Sequence, residues 1–309
     1  MDKFSFKKVL LGVAVLGCSL YGINNYTTKG KNFFIEFEYS QGIPSIVQIK
    51  GKIEDITSPY QHIQVYETEH FGNMLVIDDI IMLTQRDNFT YHEMIVHVPM
   101  NAHPNPKKVL IVGGGDGGTL NEVFRYSLVE EVVMCEIDKE VINISKKYFP
   151  EFKAGFDDSR LTVIAQDAAE YIKTKNKYFD VIIVDSTDPI GSGESLFTEV
   201  FYKNVHDALK DDGITVTQSE TLFYSPEFIV DIQKQNKKLF KHSAYYFTMV
   251  PTYPSGMIGF SFCSKKYDPF ELVDGKKIAS FADDLKYYNA ALHRASFQLP
   301  NFLKRAIES

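Results

Sequence analysis

From residue 107 onward, runs of β-branched residues alternate with stretches of helical pattern. Strands are expected at "KVLIVG" (108–113), "EVVMCEID" (131–138), "LTVIA" (161–165), "FDVIIVD" (179–185) and "GITVTQS" (213–219). Two consecutive runs follow, "SAYYFTMV" (243–250) and "GMIGFSFCS" (256–264). Helical stretches such as "EVINISKKYF" and "SPEFIVDIQKQNKKLF" fill the gaps. Continuous apolar strands separated by helices suit a parallel sheet covered on both faces. The expected class is α/β, a doubly wound, mostly parallel Rossmann-like sheet with an antiparallel edge.

The preceding residues follow another rhythm. "FFIEFEY", "SIVQIKG", "HIQVYET", "NMLVIDD" and "IIMLTQ" alternate at short range between turn residues, and predict a small antiparallel sheet. "RDNFTYHEMIVHVP" then predicts a helix with Asp87 or Asn88 as N-cap, Phe89, Met94, Ile95 and Val98 as apolar positions, and Pro99 as its end. The division expected is an extension over 1–30, a β-sheet domain over 31–88 and a Rossmann-like domain over 89–309.

The 309 residues suffice for a large and a small domain. A formal net charge of −7 argues against a nucleic-acid partner, which needs clustered Lys and Arg. Cys18, Cys135 and Cys263 form no C-x-x-C pair, so a reducing, cytoplasmic setting is expected. In "KKVLLGVAVLGCSLYGI" (7–23), two lysines precede a mostly apolar run shorter than a membrane span. This segment reads as a signal or anchor making membrane contact, with "VLGC" loosely like a lipoprotein cleavage site, or as an inert extension.

In an open α/β sheet, ligands bind beyond the carboxyl ends of the strands. The turn after the first strand is GGGDGG, with Gly113, Gly114, Gly115, Gly117 and Gly118 around Asp116. Glu136 ends the second strand, 18 residues beyond Gly118, where an acid commonly accepts from ribose hydroxyls. Asp167 follows the third strand, Asp185 and Asp188 the fourth, and Glu220 the fifth. Each alone has a plainer reading, Asp167 as a helix N-cap above all. Six carboxylates at one end of one sheet, with no Lys or Arg in these turns, call for cations. A metal fits poorly: no tight oxygen-ligand loop is present, and the two histidines of "HEMIVH" are five apart where one helix face needs four. Small cationic organic substrates fit better. Asp116 would repel the carboxylate of S-adenosylmethionine and attract the amine of its decarboxylated form.

In combination, "YQHIQV", "IDD" (77–79), "YHEM", "VLIVGGGDGG", "CEID", "VIIVDSTDPIGSGESLF", "VPTYPSG", "LKYYN" and "HRASFQLP" resemble the polyamine aminopropyltransferases of the spermidine synthase family, from about Phe33 to Leu303. The resemblance implies a β-sheet domain before a methyltransferase-like Rossmann domain, and a homodimer or homotetramer. The reaction implied is aminopropyl transfer from decarboxylated S-adenosylmethionine, a co-substrate, to putrescine, with no cofactor and no metal. Carried over by position, Gln61, His92, Asp116, Glu136, Asp167 and Ala168 hold the donor. Asp116 would take its amine, Glu136 the ribose and Asp167 the adenine amino group. Asp185 is the implied base, and Tyr91, Asp188, Glu220 and Tyr253 the implied diamine site. Departures from the pattern are His92 where many relatives carry Gln, Phe223 in place of a Trp wall, and residues 1–30. Pro189, Gly191 and Gly193 suggest a loop that closes over the substrates. A related aminopropyltransferase for another amine, or a putrescine N-methyltransferase, is the alternative on the same frame.

Overall fold

A computed structural model describes residues 25–28, 30–37, 44–188, 191–271 and 277–309. Segment 7–23 and Pro189 lie outside the described residues. The first sheet is a six-stranded antiparallel meander: β1 (Asn25–Thr28), β2 (Lys31–Glu36), β3 (Ser45–Thr57), β4 (His62–Thr68), β5 (Asn73–Ile77) and β6 (Ile80–Thr84). The turn between β5 and β6 places Asp78 and Asp79 at φ 48 and 67. Two successive positive φ values match the right-handed twist of a tight hairpin, and Asp tolerates them. One face of this sheet is buried through Ile63, Val65, Leu75, Ile77 and Leu83, packed on Val141, Ile144, Phe149 and Phe152 of the second unit.

Helix α1 (Asn88–Ala102) leads into the second sheet. It continues through Pro99 rather than ending there, and the His103 amide bonds back to the Pro99 carbonyl. A proline in the last turn forgoes one amide bond, and the burial of 13 of the helix's residues, Pro99 among them, offsets that loss. The second sheet holds β7 (Lys108–Gly113), β8 (Glu131–Cys135), β9 (Leu161–Ile164), β10 (Phe179–Asp185), β11 (Leu209–Gln218), β12 (His242–Met249) and β13 (Met257–Ser264). Their order is β12-β13-β11-β10-β7-β8-β9. The antiparallel strand is β13, second from the edge, pairing with both β11 and β12. A hairpin between β12 and β13 needs no crossover, so the chain reverses there without a helix.

Helices α2 (Gly118–Phe124), α3 (Lys139–Tyr148), α4 (Lys153–Phe156), α5 (Ala168–Ile172), α6 (Glu199–Ala208) and α7 (Pro226–Leu239) follow the parallel strands, and α8 (Ala290–Ser296) and α9 (Asn301–Glu308) close the chain. Two apolar clusters cover the two faces, one around Met94, Ile111 and Ile183, the other around Leu110, Ile182 and Phe201. Alternate residues of β10 enter opposite clusters, as a strand's period of two demands.

Candidate active site

A cleft of about 1390 Å³, its open mouth included, lies beyond the carboxyl ends of β7, β8 and β10 and against the first sheet. Asp116, Glu136, Asp167, Asp185, Asp188 and Glu220 all line it. So do Gln61, Tyr91, His92, Ala168, Tyr253, Gly193 and three glycines of the turn, Gly113, Gly114 and Gly115. Gly117 and Gly118 stand behind, at the start of α2, with Gly117 at φ 87. Two further acids that the sequence pattern hides also face the cleft, Glu36 from β2 and Asp87 ahead of α1. Among the described residues, no Lys or Arg lines it.

The glycine turn bends tightly because Gly113 and Gly114 adopt φ 75 and 69, and the Gly114 amide reaches the Asp185 carbonyl at 2.8 Å. A Cβ on Gly118 would lie 2.1 Å from His92 Cε1, so only glycine admits the imidazole there. His92 Nε2 sits 3.3 Å from Asp116 Oδ1, with side chains 4% and 18% exposed. The Gly118 amide donates to the same oxygen at 2.6 Å. Burial works against the Asp116 charge, but His92 and this amide outweigh it and hold the carboxyl below its usual range.

Glu136 accepts from the amides of Asp138 (2.9 Å) and Gly115 (3.2 Å). Burial outweighs both and pushes its carboxyl up to about 7. Asp138 was not singled out by the sequence reading. It caps α3 through the Glu140 amide and accepts from Gln61 Nε2 at 2.9 Å, so the first sheet is tied to the second at the cleft's edge. Asp167 caps α5 through the Ala169 amide at 2.7 Å and also lines the cleft.

Asp185 ends β10, 9% exposed. Tyr91 donates to its Oδ1 at 2.7 Å and Thr119 to its Oδ2 at 2.6 Å. Burial and the Asp116 charge nonetheless push its carboxyl up to about 6. Burial, then Asp185, holds the Tyr91 phenol well above its ordinary range, so it stays a donor. Burial and Asp188 push Glu220 up to about 8. Ser225 donates to Glu220 Oε2 at 3.2 Å, and Gln218 donates to Asp188 Oδ1 at 2.9 Å. Glu220 Oε1 and Gln218 Oε1 are buried without a hydrogen-bond partner. The Gln218 oxygen is an acceptor in want of a donor.

The Tyr253 hydroxyl is engaged by the Met82 carbonyl of β6, and its ring stands 6.3 Å from that of Tyr91. Phe223 does not wall the cleft. It follows the left-handed residue Glu220 (φ 62), is 64% exposed and packs at a tilt against Phe302, so the aromatic wall is Tyr91 and Tyr253. Gly193, in a 3-10 segment over Gly191–Phe197, lies where a Cβ would stand 2.4 Å from the Asp188 carbonyl.

Two His-Asp-Asp groups come close among the described residues: His92, Asp116 and Asp185 in the cleft, and His103, Asp180 and Asp212 at the far end. In the first, both Asp185 oxygens already accept hydroxyls. In the second, Asp180 accepts Lys210 and two backbone amides. Protein donors thus occupy most of the oxygens a metal would need. No described helix is long and apolar enough to cross a membrane.

The chain is similar to known proteins over nearly its whole length. Residues 33–85 match the spermidine synthase tetramerisation domain, and residues 88–274 the spermine/spermidine synthase domain. A polyamine aminopropyltransferase of Leptospira biflexa is 43% identical over 274 residues, 88% of this chain and 96% of the relative. One from Caldicellulosiruptor saccharolyticus is 46% identical over 261 residues, 84% and 93% respectively. A crystal structure of spermidine synthase with the transition-state analogue AdoDATO superposes with a TM-score of 0.86 at 40% identity, covering 94% of this chain and 98% of that one. Spermidine synthase from Thermotoga maritima gives 0.85 at 39% identity. With its acidic cleft at the sheet switch point and both domains matched in order, the chain belongs to the spermine/spermidine synthase family of polyamine aminopropyltransferases.

Proposed function

We propose that the protein transfers the aminopropyl group of decarboxylated S-adenosylmethionine to putrescine, yielding spermidine and methylthioadenosine, without a metal or other cofactor. One observation carries this reading: a carboxylate, Asp116, stands inside the glycine turn of a cleft that acids line and that no Lys or Arg among the described residues enters. Glu136 would accept from the ribose, Asp167 and Ala168 would meet the adenine, and Gln61 would close that end from the first sheet. Asp116 would hold the donor's ammonium.

The acceptor amine, with a solution pKa near ~10, arrives protonated and must shed a proton to attack. Asp185 would take it, and a carboxyl pushed up to about 6 is a better base than an ordinary one. The N–C bond forms as the C–S bond breaks, and its electron pair returns to sulfur, neutralising the sulfonium. The protein mainly supplies alignment. Glu220 Oε1, Gln218 Oε1 and Asp188 would receive the distal ammonium, while the Tyr91 and Tyr253 rings flank the aliphatic chain and offer cation–π contact. The match of residues 33–85 to the tetramerisation domain supports a homo-oligomer. Free, buried Cys135 and Cys263 suit a reducing cytoplasm.

Purified protein incubated with putrescine and, separately, the decarboxylated and intact sulfonium donors tests the reading. Spermidine and methylthioadenosine, from the decarboxylated donor only, are expected by mass spectrometry. Methylputrescine from the intact donor would overturn it.

A further inference from the structure

Asp116 is already paired before any donor arrives. Its Oδ1 faces His92 Nε2 at 3.3 Å. The imidazole is fixed on its other sides. Tyr91 and Phe152 meet it edge-on, with ring centroids at 5.5 and 5.4 Å, and Gly118 backs it at a distance no side chain would permit. Its Nδ1 is buried without a hydrogen-bond partner, so Asp116 is the group that holds the ring's polar edge.

The titratable groups facing the ring are Asp116 from the loop after β7, Asp185 from the end of β10, Glu122 from α2 and the Tyr91 phenol from α1. Phe152 brings no charge. Burial disfavours an imidazolium here, but Asp116 foremost, then Asp185, outweigh it and raise the His92 pKa. The free protein therefore keeps a proton on His92 to higher pH than an ordinary histidine does.

A donor ammonium needs the same carboxylate, and two cations sharing one dry carboxylate repel. An alkylammonium holds its proton several pH units more tightly than an imidazole does. We propose that His92 is the resident counter-cation of Asp116, and that the donor's primary ammonium takes its place, expelling one proton to solvent and leaving a neutral imidazole beside the new ion pair. This rests on the donor assignment above. Charge balances: one cation leaves the Asp116 carboxylate as the other arrives. Donor affinity then falls about tenfold per pH unit below the free-state His92 value and levels off above it. 5′-Methylthioadenosine carries the nucleoside and no ammonium, so it leaves the pair intact.

Calorimetry of the full chain between pH 6 and 8, in buffers of different ionisation enthalpy, counts the protons released. Decarboxylated S-adenosylmethionine is expected to release more protons than 5′-methylthioadenosine does, the excess approaching one at the acid end and fading as pH rises through the free-state His92 value. That excess should vanish in His92→Gln, which still donates to Asp116 but holds no proton. It should vanish as well in His92→Asn, which equally carries no titrating group. The two variants are independent, so misfolding of one leaves the other decisive. An unchanged excess in either assigns the proton to Asp185 and overturns the proposal. Binding of 5′-methylthioadenosine with no binding of the decarboxylated donor has a different signature: it removes the donor reading, and this inference with it.

Discussion

Thr119 Oγ1 donates to Asp185 Oδ2 at 2.6 Å, linking the second residue of α2 to the end of β10. The hydroxyl favours the carboxylate against the burial and the Asp116 charge that oppose it. Thr119→Val keeps the shape and removes the donor. A hydrogen bond to a charged group is worth about 1.5–3 kcal/mol, so the acid limb of kcat/KM should move up by roughly one pH unit or more. A pH–rate profile checks this, and an unmoved limb would separate Asp185 from the proton step.

Asp185→Asn should lower turnover by about 10²–10⁴-fold while methylthioadenosine still binds, since a positioned base contributes on that order. Single-turnover rates and calorimetry read the two effects separately. Undiminished turnover would take Asp185 out of its assigned role.

Glu220 titrates in a window set by burial and Asp188, from its ordinary 4.5 up to about 8. Between these values the folded chain binds a proton that the unfolded chain has lost. This group's contribution is therefore full at low pH and fades as pH rises towards 8. Glu220→Gln should flatten that fall and raise the melting temperature at pH 8 by about 2–4 °C for each kcal/mol recovered. The same variant should raise KM for the diamine. A melting temperature whose pH dependence is untouched would count against the burial argument.

Gly118→Ala forces a methyl group to within 2.1 Å of His92 Cε1. Overpacking of this kind costs about 1–3 kcal/mol, and the imidazole yields by leaving Asp116. Thermal unfolding should register the strain, and donor binding should lose its dependence on pH. A variant as stable as the parent would show that the ring has room the structure denies it.

Much of this site was legible because the doubly wound fold sends every parallel strand's end to one edge. A carboxylate after each strand then needed only the strand assignments to be placed with the others. Glu36 escaped because an acid in an alternating strand reads as solvent-facing, whereas it is 1% exposed and its Oε2 takes the Ile81 amide. Asp138 and Thr119 escaped because their partners, Gln61 and Asp185, lie 77 and 66 residues away. Long-range partners leave no trace in local spacing. The same reason hid Glu93, whose carboxylate gathers the amides of Lys286, Tyr287 and Tyr288 and so joins "YHEM" to "LKYYN". Pro99 misled in the other direction, since local propensity forecast a stop that tertiary burial overrode.

The meander of β1–β6 presents Glu36 and Gln61 to the cleft, and the same stretch of chain matches a tetramerisation domain. If that sheet also joins copies of the chain, the two duties cannot drift apart in evolution. A strand tilted by a change on its outer side carries its inner residues with it, so a substitution far from the cleft can reach Glu136 through Gln61 and Asp138. Where copies adhere through this sheet, engineering that adhesion is, by the same token, a way of tuning how tightly the cleft grips.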